Sequence, residues 1–268
     1  MKHFYSHVFG DFADHHDLYY SLSYAEIERG EEKQALEQGF IPVFDSVELS
    51  QYWSQHKNIW FQGRQTRVNL KKFKWRRSVR RKSKSKNKVT YYSKLIQDAT
   101  PEEIRKMEDI CKAYIKYKFN RELSEKDKEY FYDYVFKEAQ NREIIYYLKD
   151  EKIIAFSCHH VYEKAKVISQ FCWDYAEPRL GLGIYSLHVE TEKAKQEVDE
   201  YEYMGLSYGE CSLYKKDIHG FEFWTGREWS SDLDLYEKMT TKETGLKTLK
   251  DLEELQDLHF RNLEEIKA

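Results

Sequence analysis

The sequence has few of the residues that build disulfide frameworks, metal sites or membrane spans. Its four cysteines, Cys111, Cys158, Cys172 and Cys211, are widely spaced and form no CxxC pair, which argues against a disulfide scaffold and a zinc site. We therefore expect no metal, and four reduced cysteines buried as small apolar side chains. The N-terminus lacks the apolar core of a secretory signal, and no stretch approaches the ~20 apolar residues of a membrane span. These absences predict a cytoplasmic protein with no membrane partner.

Acidic residues are missing from one long segment. Between Leu49 and Gln97 the chain has no Asp or Glu but fifteen Lys and Arg, although the net charge of the whole chain is −3. Positive charge segregated in this way indicates a polyanionic partner. Guanidinium groups match the geometry of phosphates, and we expect residues 64–88 to bind nucleic acid through Arg67, Arg76, Arg77, Arg80, Arg81 and Lys82. The alternatives are a solvated loop or a patch for an acidic protein.

The first part of the chain gives weaker signals. A helix is predicted over residues 24–38, ending at Gly39, and residues 58–70 alternate large apolar and polar positions, which is typical of strands. The length of 268 residues suggests one large domain or two small ones. We divide it into an N-terminal region with the basic segment (1–98), a catalytic domain (99–240) and a C-terminal helix (241–268).

The order of elements after residue 99 predicts the fold class. Thr100 with Pro101 and Glu103 marks a helix start, and a second helix is predicted from Ser124. There follow three strands, a glycine-containing loop, a helix and a short strand, at residues 143–148, 152–161, 166–175, 178–183, 184–197 and 202–204. This order resembles the GNAT-type acyltransferase fold, an α+β fold with a mixed, mostly antiparallel sheet flanked by helices.

The loop from Pro178 to Gly183 is the first candidate for chemistry. In acetyltransferases of this fold, a loop of the type Arg/Gln-x-x-Gly-x-Gly/Ala holds the coenzyme A pyrophosphate on backbone N–H groups at a helix N-terminus. Here Arg179 stands only two residues before Gly181, so the match is imperfect. The alternative is that Gly181 and Gly183 simply make a tight turn from strand to helix.

A series of motifs in fixed order resembles the aminoacyl-tRNA–protein transferases, which comprise the arginyl- and leucyl-tRNA–protein transferases. The similarity covers about residues 35–230. It includes the basic segment from Arg67 to Asn87 and a first strand from Arg142 to Asp150. The motifs downstream are Phe171-Cys-Trp-Asp174, Gly181-Leu-Gly183-Ile-Tyr185-Ser-Leu187, Glu192-Lys-Ala194, Tyr201-Glu-Tyr203-Met-Gly205, Cys211 and Tyr214-Lys215.

The resemblance implies an enzyme that moves an amino acid, arginine or leucine, from tRNA to the N-terminal α-amine of a protein or peptide. Aminoacyl-tRNA is then a co-substrate and no further cofactor is needed. Members of the family often carry N-terminal cysteine-rich elements that can hold an iron–sulfur cluster. This chain has no cysteine before Cys111, which agrees with the expectation of no metal. The Tyr214-Lys215 pair stands about two residues closer to Cys211 than the family pattern.

Aminolysis of an ester requires orientation, movement of one proton and stabilisation of an oxyanion rather than a full catalytic triad. Asp174, at a strand end, is the first candidate for the proton, with a loop cap as its alternative. The other candidate catalytic residues are Tyr185 and Tyr214, and the candidate substrate-binding residues are Gly181, Gly183, His188, Glu190, Tyr203 and Lys215. For the tyrosines and His188 the alternative is packing, and for Lys215 an ordinary surface position.

Two other functions remain compatible with the sequence. One is an acyl-CoA-dependent N-acetyltransferase whose basic segment binds another partner, and the other is a non-catalytic RNA-binding protein on a GNAT-like scaffold. His159 and His160 resemble a metal pair, but adjacent strand residues point to opposite faces of a sheet, so a shared metal is not expected.

Overall fold

The computed structural model describes residues 2–11, 17–28, 30–43, 46–56, 59–82, 88–125, 127–129, 142–162, 165–175, 178–198, 200–226 and 228–243. Its strands are β1 (Lys2–Asp11), β2 (Asp17–Glu26), β3 (Ile41–Val43), β4 (Ser46–His56), β5 (Ile59–Asn69), β6 (Thr90–Leu95), β7 (Arg142–Lys149), β8 (Lys152–Val161), β9 (Ala165–Trp173), β10 (Tyr201–Tyr208), β11 (Phe221–Trp224) and β12 (Trp229–Ser230). Its helices are α1 (Glu32–Glu37), α2 (Arg77–Lys82), α3 (Pro101–Phe119), α4 (Leu182–Glu197) and α5 (Leu233–Glu243). No helix in these ranges is long and apolar enough to cross a membrane.

The chain divides into two compact units whose boundaries differ from the predicted 1–98, 99–240 and 241–268. One unit joins Met1–Lys72 to Tyr203–Ala268, and the other is Phe73–Glu202. Antiparallel pairing of β5 with β11 explains the first unit, because Val68 lies opposite Phe221 and Thr66 opposite Phe223. The predicted C-terminal helix from Leu246 onwards lies outside the described residues, and α5 before it was not predicted.

The unit formed by the two ends of the chain is built on antiparallel pairing. β1, β2, β4 and β5 pair in that order, β3 pairs with β4, and β11 pairs with β12. The predicted helix over residues 24–38 is wrong in its first half, where β2 extends to Glu26. Gly30, with φ of +99°, separates that strand from α1.

The predicted end of that helix at Gly39 is confirmed. The φ of Gly39 is +86°, and an added Cβ would lie 2.5 Å from Cε2 of the Trp224 ring. Both the left-handed backbone and the close approach of the indole therefore require glycine at this position.

The unit from Phe73 to Glu202 is a layered structure, and its three consecutive predicted strands are confirmed. β6, β7, β8 and β9 pair antiparallel in sequence order. Side chains on one face of this sheet pack on α3, in a core that includes Met107, Ile110, Ile144 and Phe156. Side chains on the other face form a core with the first turns of α4, which includes Ile145, Tyr147, Ala155, Leu182, Tyr185 and Val189. The alternation along β7 thus assigns Ile144 and Ile145 to opposite layers.

Three of the four cysteines follow the expectation of burial. Cys111, Cys158 and Cys172 lie in the core beneath α3. The prediction is wrong for Cys211, which is exposed, because it belongs to a 3-10 helix (Glu210–Asp217) that buries Ser212 and Lys215 instead.

The fold is the predicted α+β class, a mostly antiparallel sheet flanked by helices. A helix, a three-strand meander, a loop, a second helix and a further strand follow one another in the order α3, β7, β8, β9, α4 and β10. This is the order of the GNAT-type fold. The predicted helix beginning near Ser124 has its start inside the described residues, with Ser124 Oγ accepting from Asp127 N at 3.1 Å. Residues 130–141 of this prediction lie outside them.

Thr100 begins α3 with the predicted capping box: its hydroxyl accepts from Glu103 N at 3.2 Å, and the Glu103 carboxylate accepts from Thr100 N at 2.7 Å. Replacing Thr100 by Ala removes one acceptor from the helix N-terminus, and we expect a loss of about 1 kcal/mol in the free energy of unfolding. Urea denaturation measures this loss. Thr100→Ser keeps the hydroxyl and should retain most of the stability, and equal losses in the two variants would contradict this role of the hydroxyl.

Candidate functional site

The glycine loop leads directly into α4. A 3-10 helix (Pro178–Leu180) precedes Gly181, whose φ of +65° places it in the left-handed region at the N-cap of α4. That N-cap carries no side-chain hydrogen bond, and the first turn of α4 has no acidic residue. An added Cβ at Gly183 would meet no atom within 4 Å. Gly181 is thus needed for the turn, whereas Gly183 leaves open space beside backbone N–H groups that suit an anion.

The segment that leads into the basic helix packs on α4. The Trp75 indole N–H donates to Glu192 Oε2 at 3.0 Å, and its ring centroid lies 5.3 Å from that of His188. The buried ring of Phe73 contacts the same histidine at 6.1 Å, while Lys195 Nζ donates to the Phe73 carbonyl at 3.3 Å. The entry to α2 is therefore fixed to the helix that follows the glycine loop.

The six predicted RNA-binding residues fall into two groups. Arg76, Arg77, Arg80 and Arg81 are exposed at the start of α2 and along it, and Lys82 is the last residue of this helix. Arg67 is different because it is buried in the other unit. Its Nη2 lies 2.8 Å from Glu222 Oε2, and its guanidinium lies 4.1 Å from the centre of the Trp229 ring. Arg67 therefore holds β5 to β11 and does not offer its charge to an RNA phosphate.

The candidate residues of the loop and of α4 all lie in the unit from Phe73 to Glu202. Asp174 follows β9, is half-buried, and its backbone N–H donates to Ile154 O at 2.8 Å. The Tyr185 hydroxyl donates to Val89 O at 3.2 Å, so it fixes the start of β6 instead of pointing into open space. The His188 ring contacts Ile184 O through Nδ1 at 2.9 Å, within its own helix.

The remaining candidates, Tyr203, Tyr214 and Lys215, belong to the other unit. Tyr203 is buried with its ring edge-on to Trp229. Lys215 is buried rather than on the surface, and its Nζ donates to Met204 O at 3.0 Å and to Leu206 O at 2.7 Å. These two carbonyls flank Gly205, whose φ is +68°, so the ammonium binds β10 on both sides of this left-handed residue. Tyr214 is exposed.

Glu190 is the centre of a buried polar cluster on the α4 side of the sheet. Its Oε1 accepts from the Tyr147 hydroxyl at 2.7 Å, and its Oε2 lies 3.6 Å from His159 Nε2. His159 Nε2 also lies 3.0 Å from Ser157 Oγ, which donates to Gln170 O. Burial lowers the pKa of His159 to about 3, so the imidazole is neutral and provides no charge for Glu190.

Glu202, at the start of β10, is a second buried carboxyl in this cluster. Burial raises its pKa to about 8, with the nearby Glu190 charge as the next cause, and burial raises the pKa of Glu190 to about 7. The Thr191 hydroxyl beside Glu202, which opposes this rise in pKa, donates to Leu187 O at 2.6 Å. Near neutral pH, Glu202 therefore favours its protonated form and Glu190 is protonated in part.

Two lysines and two glutamates form a network of salt bridges at the end of α4. Lys166 Nζ lies 2.6 Å from Glu143 Oε2 and also contacts Glu197. Lys193 Nζ lies 2.9 Å from Glu143 Oε1 and contacts the same Glu197. Although burial opposes it, hydrogen bonding to Lys166 and Lys193 lowers the pKa of Glu143. Two lysines and two glutamates thus neutralise one another.

Sequence reasoning selected Glu190 but missed its partners Tyr147, Ser157, His159 and Glu202. A signal was present in the strands, because Tyr147 on β7 and both Ser157 and His159 on β8 occupy alternate positions that face one layer. The two adjacent histidines have different neighbours: His159 contacts Ser157 and Glu190, whereas His160 stacks on Tyr162.

The meander, the glycine turn and α4 follow one another in the order of the GNAT-type fold. Residues 106–225 match the model of a family described as the C terminus of arginine-tRNA-protein transferase. The resemblance to the aminoacyl-tRNA–protein transferases is thereby confirmed for this part of the chain. No curated protein matches the chain.

Solved structures give more distant matches. The C-terminal domain of a putative lysylphosphatidylglycerol synthetase from Agrobacterium fabrum is 15% identical with a TM-score of 0.42, and the match covers 54% of this chain and 47% of that one. L-PGS from Bacillus licheniformis is 15% identical with a TM-score of 0.43, over 70% of this chain and 55% of that one. FemX is 8% identical with a TM-score of 0.43, and the match covers 71% of this chain and 64% of that one. The chain thus spans about half the length of the first two proteins, and similarities of this size say nothing about activity.

The raised pKa of Glu202 predicts an unusual pH dependence of stability. The folded carboxyl keeps its proton up to a pKa of about 8, whereas the unfolded one loses it near pH 4.3. The stabilisation is complete below pH 4 and is lost as the pH rises through 8. Glu202→Gln mimics the protonated form, so its free energy of unfolding should rise relative to the wild type by about 1–3 kcal/mol from pH 5 to pH 8.

Urea denaturation at the two pH values measures this difference. Glu102→Gln, at an exposed position of α3, is the matched control and should follow the wild type at both pH values. Parallel pH profiles for the wild type and Glu202→Gln would show that Glu202 is ionised in the folded protein.

Proposed function

We propose that this protein is a tRNA-dependent aminoacyltransferase that moves arginine or leucine from a charged tRNA to the N-terminal α-amine of a protein or peptide. The observation that carries the proposal is the contact of Phe73 and Trp75 with α4. Because these residues immediately precede the basic helix, an RNA bound to α2 lies next to the helix that begins at the glycine loop. The family match over residues 106–225 supports the same activity.

The basic helix suits RNA rather than a small anion. Its exposed arginines present several guanidinium groups over less than two turns, and affinity for nucleic acid depends on several phosphate contacts made at once. An exposed aromatic ring is also available in the same unit. Tyr91 on β6 is 47% exposed and packs on Tyr147, and it is our candidate for stacking on an unpaired base at the acceptor end.

The glycine loop would receive the ester-linked end of the tRNA. The backbone N–H groups at the start of α4 can bind a terminal phosphate or stabilise the oxyanion that forms when the amine attacks the ester carbonyl. Gly183 leaves room for this approach, since a side chain there would fill the open space beside the helix. Tyr185, whose hydroxyl is bound to Val89 O, would position the start of β6 near this loop.

The chemistry then requires one proton to move. The acceptor α-amine has an intrinsic pKa near 7.7–8, so a useful fraction is neutral at pH 7 and attacks without strong base catalysis. As the C–N bond forms and the ester C–O bond breaks, the amine loses a proton and the terminal ribose oxygen gains one. Asp174, half-buried at the end of β9, is the candidate for passing this proton.

A pool of radiolabelled aminoacyl-tRNAs, mixed with peptides that begin with Asp, Glu, Lys or Arg, tests the function directly. Transfer of label to peptide would identify donor and acceptor together. If no donor and peptide pair yields product, the protein is not this enzyme. Tight binding of coenzyme A in calorimetry would instead support an N-acetyltransferase.

Removing positive charge from α2 tests the role assigned to it. We expect the combined change of Arg76, Arg77, Arg80 and Arg81 to Gln to weaken tRNA binding and to reduce the slope of log affinity against log salt by about one per lost phosphate contact. Fluorescence anisotropy with labelled tRNA measures both. The control removes four charges from α3 through Arg105, Lys106, Lys112 and Lys116 to Gln, and an equal effect in both variants would mean that only net charge matters.

A further inference from the structure

Three of the four cysteines share one layer of the unit from Phe73 to Glu202, and no step of the proposed transfer uses them. Cys111 lies on α3, one turn after Met107, while Cys158 and Cys172 lie on β8 and β9. In that order the three are 3%, 0% and 2% exposed, in the core where α3 packs on the sheet. A thiol in such a core is normally an inert apolar group, so the distances among the three decide whether they can do more.

Cys111 and Cys172 have their sulfur atoms in contact. The Cys111 thiol donates to Cys172 Sγ, and the two sulfurs lie 3.6 Å apart although the residues are 61 positions apart in the chain. A disulfide has a sulfur–sulfur distance of about 2.05 Å and requires side chains that point at one another. These two sulfurs already face each other, so they have to approach by only about 1.5 Å. Small rotations of two side chains provide a movement of this size.

Cys158 is placed less well for a bond to Cys172. In the antiparallel pairing of β8 with β9, Cys158 lies opposite Gln170, and Phe156 lies opposite Cys172. Cys158 and Cys172 are therefore diagonal neighbours, a relation that places Cα atoms about 7–8 Å apart. A disulfide usually joins Cα atoms no more than about 6.8 Å apart. The register of the sheet thus favours Cys111, which comes from the helix, as the partner of Cys172.

Hydrogen bonds assign different roles to the two sulfurs of the pair. Cys172 Sγ accepts from the Cys111 thiol and also from Gln170 Nε2 at 3.4 Å. Two donors at one sulfur stabilise negative charge on it, and the thiolate is the form of cysteine that reacts with oxidants. The hydrogen bond to Cys172 and burial raise the pKa of Cys111, so Cys111 keeps its proton. Gln170 is partly exposed, so the residue that donates to Cys172 is itself in contact with solvent.

We propose that Cys111 and Cys172 form a redox site, at which a two-electron oxidant of the peroxide class converts the two thiols into a disulfide that joins α3 to β9. The Cys172 sulfur attacks one oxygen of hydrogen peroxide, the O–O bond breaks, and a sulfenic acid and water form. The Cys111 sulfur then attacks the sulfenic sulfur, and a second water leaves. The two cysteines together lose two electrons and two protons, which the peroxide gains as it becomes two waters.

The disulfide connects the helix layer to the strand that leads to Asp174. This residue follows Cys172 by two positions, and α3 lies against β9. The bond closes the segment between residues 111 and 172 into a loop, which restricts the unfolded chain and thereby stabilises the folded one. Thiol reductants reverse the bond by exchange. The site therefore makes the stability of the protein depend on the redox state of its surroundings, and it does not depend on the proposed aminoacyl transfer.

Peptide mapping of the full-length protein tests the bond. Trypsin cleaves after Lys and Arg, so the three buried cysteines fall in three different peptides, Met107–Lys112, Ile153–Lys164 and Val167–Arg179. The folded protein is treated with millimolar hydrogen peroxide, unfolded with N-ethylmaleimide to block free thiols, digested and analysed by mass spectrometry.

We expect the first and third of these peptides to be linked, the second to carry the maleimide on Cys158, and dithiothreitol to remove the link. If Cys111 and Cys172 both carry maleimide after oxidation, or if either one is linked to Cys158, the proposal is wrong.

Thermal unfolding tests the effect of the bond. We expect the Tm of the oxidised wild-type protein to exceed that of the reduced protein by at least about 5 °C. Cys158→Ala is the matched control, because it removes a thiol from the same core and leaves the pair intact, so it should show the same shift on oxidation. Cys111→Ala and Cys172→Ala should show no shift.

The remaining outcomes also decide the proposal. A link between Cys111 and Cys172 without a rise in Tm would refute the stabilising role of the bond, and a rise that persists in Cys111→Ala would assign the effect to another site. A link that forms only after oxidation in urea would show that the folded protein does not bring the two sulfurs together. If the alanine variants of the pair do not fold, the peptide map of the wild-type protein still confirms or refutes the bond.

Discussion

The burial of α4 on all sides over two turns is the constraint on which the unit from Phe73 to Glu202 depends. Seven consecutive residues, Tyr185–Thr191, are buried, so the polar groups among them cannot turn to water and must find partners inside the protein. Ser186 and Thr191 meet this requirement within the helix, at carbonyls one turn earlier, and His188 does so there through Nδ1. Glu190 meets it in part, through Tyr147 on the sheet.

This constraint links the candidate surface for RNA to the candidate site for chemistry. One side of α4 closes the core on β7 and β8, and another side holds Phe73 and Trp75 at the entry to the basic helix. The same helix starts at the glycine turn, where Gly183 leaves open space beside the first turn. Within this unit α4 thus connects the entry to a group of exposed arginines, the glycine turn and a buried acidic pair.

The sequence predicted local features well and long-range partners poorly. The capping box at Thr100, the three strands of the meander and the stop at Gly39 depend on neighbouring residues, and each is present in the structure. Arg67 and Lys215 show the limit of this reasoning, because each looked like a free surface cation. Arg67 is bound by Glu222 across a strand pair, and Lys215 is bound by carbonyls of β10, which no local pattern reveals.

The sequence by itself determined the order of the elements, the GNAT-type topology and the concentration of positive charge before residue 98, because periodicity, caps and charge runs depend on adjacent residues. Only the tertiary structure decided which charges are available and which are consumed. It brought Glu202 near Glu190, residues that belong to different elements, and it removed both from water. The physical reason is that desolvation and pairing depend on what lies within a few ångströms in space, and chain folding sets those neighbours.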